Sequence, residues 1–272
     1  VIIVFSPSFR SIAIWPNGIN LGLLFFLISL FFFIKFKNTE EEKIKFKYAI
    51  LNTLFLAFSS YISPNFSVFV IFFLYNYILS FGKKNIIKIL ITNIFLSFPA
   101  IYYVFIDNNY FIFNNHVSEN VDNTLNFSLV VNKIAIISTI TFFHISPFLL
   151  VEKYYYGKIK NNLLLKSIII LLILIFISNS FNYDYEIGGG GIFFKMSNFL
   201  FGNNYLFYFF IFITFLFLYE LTKNFQNFLL LLCLLLSNPQ YSIYHKYFDP
   251  LILIIWFLLF IKKSDFQKNY FK

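Results

Sequence analysis

Short polar clusters divide this chain into long and almost uninterrupted apolar runs. The runs Leu163 to Ile177 and Tyr205 to Tyr219 show no alternation of polar and apolar positions, whereas a strand of a membrane barrel alternates over about ten residues. A helix that crosses a bilayer needs about 20 apolar residues. The pattern therefore predicts membrane-spanning α-helices.

The predicted fold is all-α: a polytopic transmembrane bundle of about nine helices with outward-facing loops, forming a single transmembrane domain over residues 1–272. The second, eighth and ninth runs are short, so tilted, re-entrant and longer helices all remain open there. The nine predicted spans are Ile19–Phe36, Tyr48–Ile62, Phe66–Phe81, Ile86–Ile106, Ser128–Val151, Leu163–Ser178, Tyr205–Leu221, Phe225–Leu236 and Leu251–Ile261.

Composition supports this prediction and excludes a soluble domain. Hydrophobic residues make up 59% of the chain and charged residues only 12%, against about a quarter in soluble domains. The 44 phenylalanines are typical of an A/T-rich genome, so aromatic stripes carry no functional weight. The single cysteine, Cys233, lies in an apolar run and excludes a disulfide framework or a cysteine metal site.

Lysine positions predict the orientation, because Lys and Arg are retained on the cytoplasmic side. Seventeen of the 21 basic residues fall in one set of alternate loops, and the opposite set has only Arg10, Lys133, Lys195 and Lys246. The first residue is therefore predicted to face outward and the C-terminus to face the cytoplasm. The seventeen are Lys35, Lys37, Lys43, Lys45, Lys47, Lys83, Lys84, Lys88, Lys153, Lys158, Lys160, Lys166, Lys223, Lys262, Lys263, Lys268 and Lys272.

The predicted partner is thus the lipid bilayer. The net charge of +9 is explained by lysines that anchor the cytoplasmic ends of the helices. Nucleic-acid binding would need a clustered basic surface on a folded domain, and the sequence does not predict one. The chain begins at Val1 and its only methionine is Met196. We therefore expect it to be the C-terminal part of a longer protein.

Polar chemistry is predicted to collect in the outward loops, which hold six of the 12 acidic residues. Arg10, the only arginine, suits bidentate phosphate or carboxylate binding, although a snorkelling Arg fits as well. His116 has no second histidine nearby, so no metal site is predicted. The six acidic residues are Asp107, Glu119, Asp122, Asp184, Glu186 and Asp249.

Two later loops are the most suggestive. Four consecutive glycines, 188–191, permit positive φ or close approach to a ligand, and Asp184, Glu186 and Lys195 flank them. The alternative is a flexible linker. The next loop brings His245, Lys246 and Asp249 within five residues, a pattern that fits the phosphate of a lipid-linked substrate at headgroup level.

Inside the predicted spans, His144 is the notable ionisable residue, and such residues are functional candidates. A neutral histidine bonded to a neighbouring helix is the alternative. Pro99 and Pro147 predict kinks, with Asn93 and Asn132 as candidates to satisfy the freed carbonyls.

The chain resembles the glycosyltransferase-C superfamily, the multi-pass enzymes that use polyprenyl-phosphate-linked sugars. The resemblance rests on three stretches: Ser6 to Lys37, in which Ser-Pro, Arg and Trp-Pro precede a long apolar helix; the Tyr61–Asn65 turn; and the late His-Lys-Tyr loop before a final helix. It implies inverting transfer at the outer face of the membrane, with a catalytic Asp in a first outward loop upstream of Val1.

What the resemblance leaves to this chain is the cradle for a lipid-linked sugar and its acceptor. The donor would be a lipid-linked sugar phosphate, with no other cofactor implied, in a bacterial inner (cytoplasmic) membrane. The predicted substrate-binding residues are Arg10, Asp184, Glu186, Lys195, His245, Lys246 and Asp249.

A multi-pass transporter or flippase, or an O-antigen polymerase-like protein, is the alternative. A transporter places polar sites and broken helices near the bilayer midplane. The concentration of polarity in loops favours surface chemistry, and a polymerase of lipid-linked glycans fits those loops too.

Overall fold

The computed structural model describes residues 18–105, 127–151, 162–184, 188–237, 243–245 and 248–260. All regular structure in these ranges is helical, which confirms the all-α prediction. A 3-10 helix, Pro64–Phe69, joins α2 to α3. The α-helices of the described ranges are α1 Gly18–Asn38, α2 Glu42–Ile62, α3 Val70–Ser80, α4 Lys83–Phe105, α5 Phe127–Val151, α6 Leu163–Ser180, α7 Gly191–Phe201, α8 Tyr205–Thr222, α9 Phe225–Leu236 and α10 Asp249–Leu258.

Five of the described helices are long and apolar enough to cross a membrane, so the predicted count of nine spans is not confirmed. The first turns of α2 are charged, and α3, α9 and α10 are short. Helix α7, which begins at the last of the four glycines, was not predicted. The five candidate spans are Asn20–Asn38, Lys83–Tyr102, Val130–Leu149, Leu163–Ser180 and Tyr205–Thr222.

The described residues divide into two compact units. The first unit contains residues 18–105 and 236–237. The second unit contains residues 127–151, 162–184, 188–235, 243–245 and 248–260. Each unit has its own buried side chains, and they are described separately.

Close packing of α1 on α2 forms the centre of the first unit. The Ser59 hydroxyl donates to the Gly22 carbonyl at 2.7 Å, and a Cβ at Gly22 would lie 3.2 Å from the Ser63 Cβ. A larger residue at Gly22 would therefore push the helices apart. Below this contact Phe26 stacks on Phe66, with ring centroids 4.8 Å apart.

A buried polar network fixes the same unit. The Asn52 amide donates to the Ser29 carbonyl at 2.8 Å and contacts the Ser29 hydroxyl at 2.7 Å. The Tyr77 hydroxyl donates to the Asn52 side-chain oxygen at 2.5 Å. Since α1, α2 and α3 each supply one member, the network sets the register of three helices.

In the second unit α5 is the central helix, and α6, α7, α8 and α10 all pack against it. At its N-terminal end the Asn132 amide donates to the Asn182 side chain at 2.9 Å, just beyond α6. Helix α7 ends at Gly202, whose φ of +62° and amide bond to the Asn198 carbonyl form a left-handed C-cap.

Ser146 accommodates the proline in α5. Pro147 has no amide hydrogen, so the Phe143 carbonyl one turn earlier loses its helical partner. The Ser146 hydroxyl donates to that carbonyl at 3.1 Å. The prediction that Asn93 and Asn132 satisfy the carbonyls freed by the prolines is wrong. Asn132 bonds to Asn182, and Asn93 donates to the Ile89 carbonyl in its own helix.

Candidate functional site

Three ionisable side chains meet in the second unit, and we call them the histidine cluster: His144, His245 and Asp249. His144 Nε2 lies 3.2 Å from His245 Nδ1, within hydrogen-bond distance. His144 Nδ1 lies 3.6 Å from Asp249 Oδ1, an electrostatic contact slightly longer than a hydrogen bond. The residues come from α5, from the segment before α10 and from the first residue of α10.

Local sequence explains how Asp249 reaches this position. Asp249 begins α10 and Pro250 follows in its first turn, where a missing amide hydrogen costs nothing. A carboxylate at this end of a helix is also favoured by the helix dipole. The Phe248 amide donates to the His245 carbonyl at 3.0 Å, and this hydrogen bond holds His245 close to the start of α10.

One protonation pattern of the two imidazoles fits these contacts. With a proton on His144 Nδ1, which faces Asp249, His144 Nε2 accepts from His245 Nδ1–H, and the lone pair of His245 is on Nε2. That Nε2 is buried and has no hydrogen-bond partner within the described part of the chain. His245 Nε2 is therefore an unpaired basic nitrogen that is linked through His144 to the carboxylate of Asp249.

Apolar rings enclose the cluster. Phe143 meets His144 and His245 edge-on, with centroids 5.4 and 5.6 Å away. Phe193 of α7 stands against Phe143 at 5.8 Å. The side chains of His144 and Asp249 are only 10% and 7% exposed, so charge on the cluster is weakly screened by solvent.

The four glycines, here the glycine segment Gly188–Gly191, hold His245 in place indirectly. Their φ values lie between +76° and +79°, a region that only glycine adopts easily. The Gly190 amide donates to the Ile243 carbonyl at 3.0 Å. A Cβ at Gly189 would lie 2.4 Å from the same oxygen. The segment is thus a packing element against the chain that leads to His245.

The structure places the glycine segment and His245 beside α5, whereas the sequence analysis assigned both to outward loops. Asn182 bonds to Asn132 near the start of α5, and Gly191 packs on Ile140. His245 meets His144, which is twelve residues beyond Asn132, or about 18 Å along a helix axis. The glycine segment and His245 therefore lie alongside the candidate span Val130–Leu149, not in a loop beyond its end.

The other predicted binding residues divide into two groups. Asp184 and Lys195 belong to the residues that the structure describes, and both side chains are exposed. Arg10, Glu186 and Lys246 lie outside the described residues. Only His245 and Asp249 of the predicted set are thus brought together.

A separate ion cluster lies at the far end of α6 and α8. Lys166 Nζ lies 2.6 Å from Glu220 Oε1, and Lys223 Nζ lies 2.9 Å from Glu220 Oε2. The Glu220 side chain is 1% exposed and that of Lys166 is 8% exposed. Lys166 and Lys223 were both predicted to lie at the same side of the membrane, and their shared contact with Glu220 agrees with antiparallel α6 and α8.

Sequence reasoning identified His144, His245 and the glycines but did not join them. His144 and His245 are 101 residues apart, and no spacing rule relates them. Tyr183, whose hydroxyl contacts Gly188 and Ile243, was missed because a tyrosine at a membrane interface is expected for anchoring alone. Among the described residues, no three His, Cys, Asp or Glu side chains form a group able to hold a metal ion.

No family model, curated protein or solved structure matches this chain.

Proposed function

We propose that this protein is an integral membrane glycosyltransferase that moves a sugar from a polyprenyl-phosphate donor to an acceptor hydroxyl. The supporting observation is the histidine cluster, in which His245 Nε2 is an open base linked through His144 to Asp249. General-base catalysis requires such a nitrogen near the proton that it removes. The resemblance noted in the sequence supplies the donor class, but this proposal gives the role of base to His245 in place of the catalytic Asp that the resemblance implies.

In the proposed reaction the acceptor oxygen forms a bond to the anomeric carbon of the sugar. The bond from that carbon to the phosphate oxygen breaks, and polyprenyl phosphate leaves with the electron pair. The proton of the acceptor hydroxyl passes to His245 Nε2. The positive charge that results is stabilised through the hydrogen bond to His144 by the carboxylate of Asp249, which stays ionised.

The location of the reaction is part of the proposal. Asn182 contacts Asn132 near the start of α5, and Gly191 lies against Ile140; the lysine distribution predicts that the Asn132 end faces outward. We propose that the acceptor enters from there, in a bacterial inner membrane with a cytoplasmic C-terminus. Arg10, Glu186 and Lys246 would bind the donor phosphate or the sugar, and Asp184 and Lys195 would lie at the entrance.

The test measures transfer from a radiolabelled polyprenyl-phosphate sugar by the purified full chain in lipid vesicles. His245→Gln removes the base and is expected to lower kcat by about 100-fold or more. His144→Gln and Asp249→Asn should lower kcat with little change in KM, since they act through His245. His116→Gln, at the remaining histidine, is the control and should retain activity. Normal turnover by His245→Gln would refute the proposal.

A transporter or flippase is the second candidate, and one structural observation favours it. The short helices α7 and α10 and the irregular backbone of 188–190 and 243–245 lie alongside a candidate span. Interrupted helices with buried ionisable groups are common at transport sites. Uptake of a solute or flipping of a lipid by vesicles, with no new glycosidic bond formed, would favour this candidate. Extension of a lipid-linked glycan would instead indicate the polymerase-like activity.

A further inference from the structure

The backbone of Ile243 is held by hydrogen bonds at both of its polar atoms. The Tyr183 hydroxyl accepts from the Ile243 amide at 3.2 Å and donates to the Gly188 carbonyl at 2.6 Å. The Ile243 carbonyl accepts from the Gly190 amide at 3.0 Å. Ile243 itself is fully buried. The Tyr183 hydroxyl therefore connects the start of the glycine segment, at Gly188, with Ile243, which lies two residues before His245.

From this geometry we infer that Tyr183 is a positioning residue for His245, acting through Ile243 and the glycine segment. That Tyr183 affects catalysis rests on the proposed function, in which His245 is the base. His245 is two residues from Ile243, and its own carbonyl accepts from the Phe248 amide. The short segment is thus fixed on both sides of the imidazole.

The energetic reason is the apolar surroundings. An unpaired amide or carbonyl at membrane depth costs several kcal/mol, so the Ile243 backbone keeps the partners that it has. Two anchor points hold a segment more strictly than one, since rotation about a single hydrogen bond is blocked by the second. Removal of the Tyr183 hydroxyl leaves the Ile243 carbonyl bonded to Gly190 but takes the acceptor from the Ile243 amide, which allows the backbone at Ile243 to turn.

Rotation of this segment would affect the cluster directly. His245 Nδ1 lies 3.2 Å from His144 Nε2, and a displacement of about 1 Å would break that hydrogen bond. The base would then lose its link to Asp249. A purely structural tyrosine would alter stability, whereas a positioning tyrosine alters the state of the two imidazoles as well.

The substitution Tyr183→Phe removes the hydroxyl and keeps the ring that packs edge-on against Phe194, at 5.6 Å. Tyr205→Phe is the matched control, because Tyr205 lies in the same unit and is 77% exposed. Both are made in a His116→Gln background, with ¹⁵N-labelled histidine, so that only His144 and His245 give imidazole signals.

For Tyr183→Phe we expect loss of the imidazole–imidazole hydrogen-bond signal, and kcat lower by about tenfold to 100-fold with KM within twofold. The pH dependence of kcat should shift as well, and the control should match the parent. Unchanged imidazole signals in a folded Tyr183→Phe protein would overturn the inference. If the parent shows no glycosyl transfer but the imidazole signals still change, the proposed function fails and the positioning role stands.

A second measurement covers a Tyr183→Phe protein that does not fold. In the unsubstituted protein, the Ile243 amide should exchange its hydrogen as slowly as amides inside α5, because it donates to a buried phenol. Exchange at the rate of an exposed loop amide would overturn the inference without any variant.

Discussion

Glu220 offers the sharpest test of the packing in the second unit. Its carboxylate accepts from two lysines, of which Lys166 is buried and Lys223 has a side chain that is 50% exposed. Glu220→Gln preserves shape and removes the negative charge. The Lys166 ammonium is then left buried beside a neutral amide, which costs about 3–5 kcal/mol for a broken buried pair.

The two lysines provide internal controls. Lys223→Met should cost about 1 kcal/mol or less, because a half-exposed ammonium is already solvated. The double substitution Lys166→Met with Glu220→Met removes both buried charges, and should recover most of the loss caused by Glu220→Gln. Such recovery would show that the penalty comes from an uncompensated charge and not from altered packing.

The assay is reversible unfolding of the purified chain in mixed micelles on titration with SDS, followed by far-UV circular dichroism. Glu220→Gln is expected to be the least stable variant, followed by Lys223→Met and then by the unsubstituted protein. If Glu220→Gln and Lys223→Met were equally stable, the carboxylate would not be the buried centre of this cluster and the reasoning would be refuted.

Two further predictions concern the same unfolding free energy. Gly189→Ala should cost about 2–5 kcal/mol, because the new Cβ would overlap the Ile243 carbonyl and the residue has a positive φ. Gly202→Ala is the control: its Cβ would meet no atom within 4 Å, so it should lose only the cost of the positive φ, about 1–2 kcal/mol. Equal losses in the two variants would contradict the close contact between Gly189 and Ile243. Asn52→Leu should cost about 1–3 kcal/mol, since Ser29 and Tyr77 lose their hydrogen bonds to the buried Asn52 amide. Asn38→Leu, at an exposed position at the end of α1, should change stability by less than about 0.5 kcal/mol.

The sequence predicted those features that depend on chemistry along one helix. Continuous apolar runs marked α1, α4, α5, α6 and α8 within a few residues of their observed bounds, because a span must be apolar along its whole length. The lysine distribution assigned Lys166 and Lys223 to one side of the membrane, and both contact Glu220; the side itself stays a prediction. Such features are local and need no knowledge of neighbours.

Features that depend on distant contacts were not predictable in this way. Helix α7 follows a glycine run that reads as a linker, and only contact with α5 and α8 makes it a packed helix. The contact of His245 with α5 was not predicted for the same reason: polar residues between apolar runs suggest a surface loop and do not identify a partner 101 residues away. Its backbone is satisfied by Gly190 and Tyr183, partners that no spacing rule identifies.

The sparse packing of α4 has a consequence for how this chain can change over time. Only 6% of the span Lys83–Tyr102 is buried, and Phe95 and Phe98 are 78% and 67% exposed. In a bilayer, acyl chains solvate Phe, Ile and Leu almost equally well. Codon drift toward A/T can therefore accumulate on this surface at little energetic cost, whereas Asn52 and Gly189 admit almost no exchange. Substitution rates along the gene should accordingly follow lipid exposure.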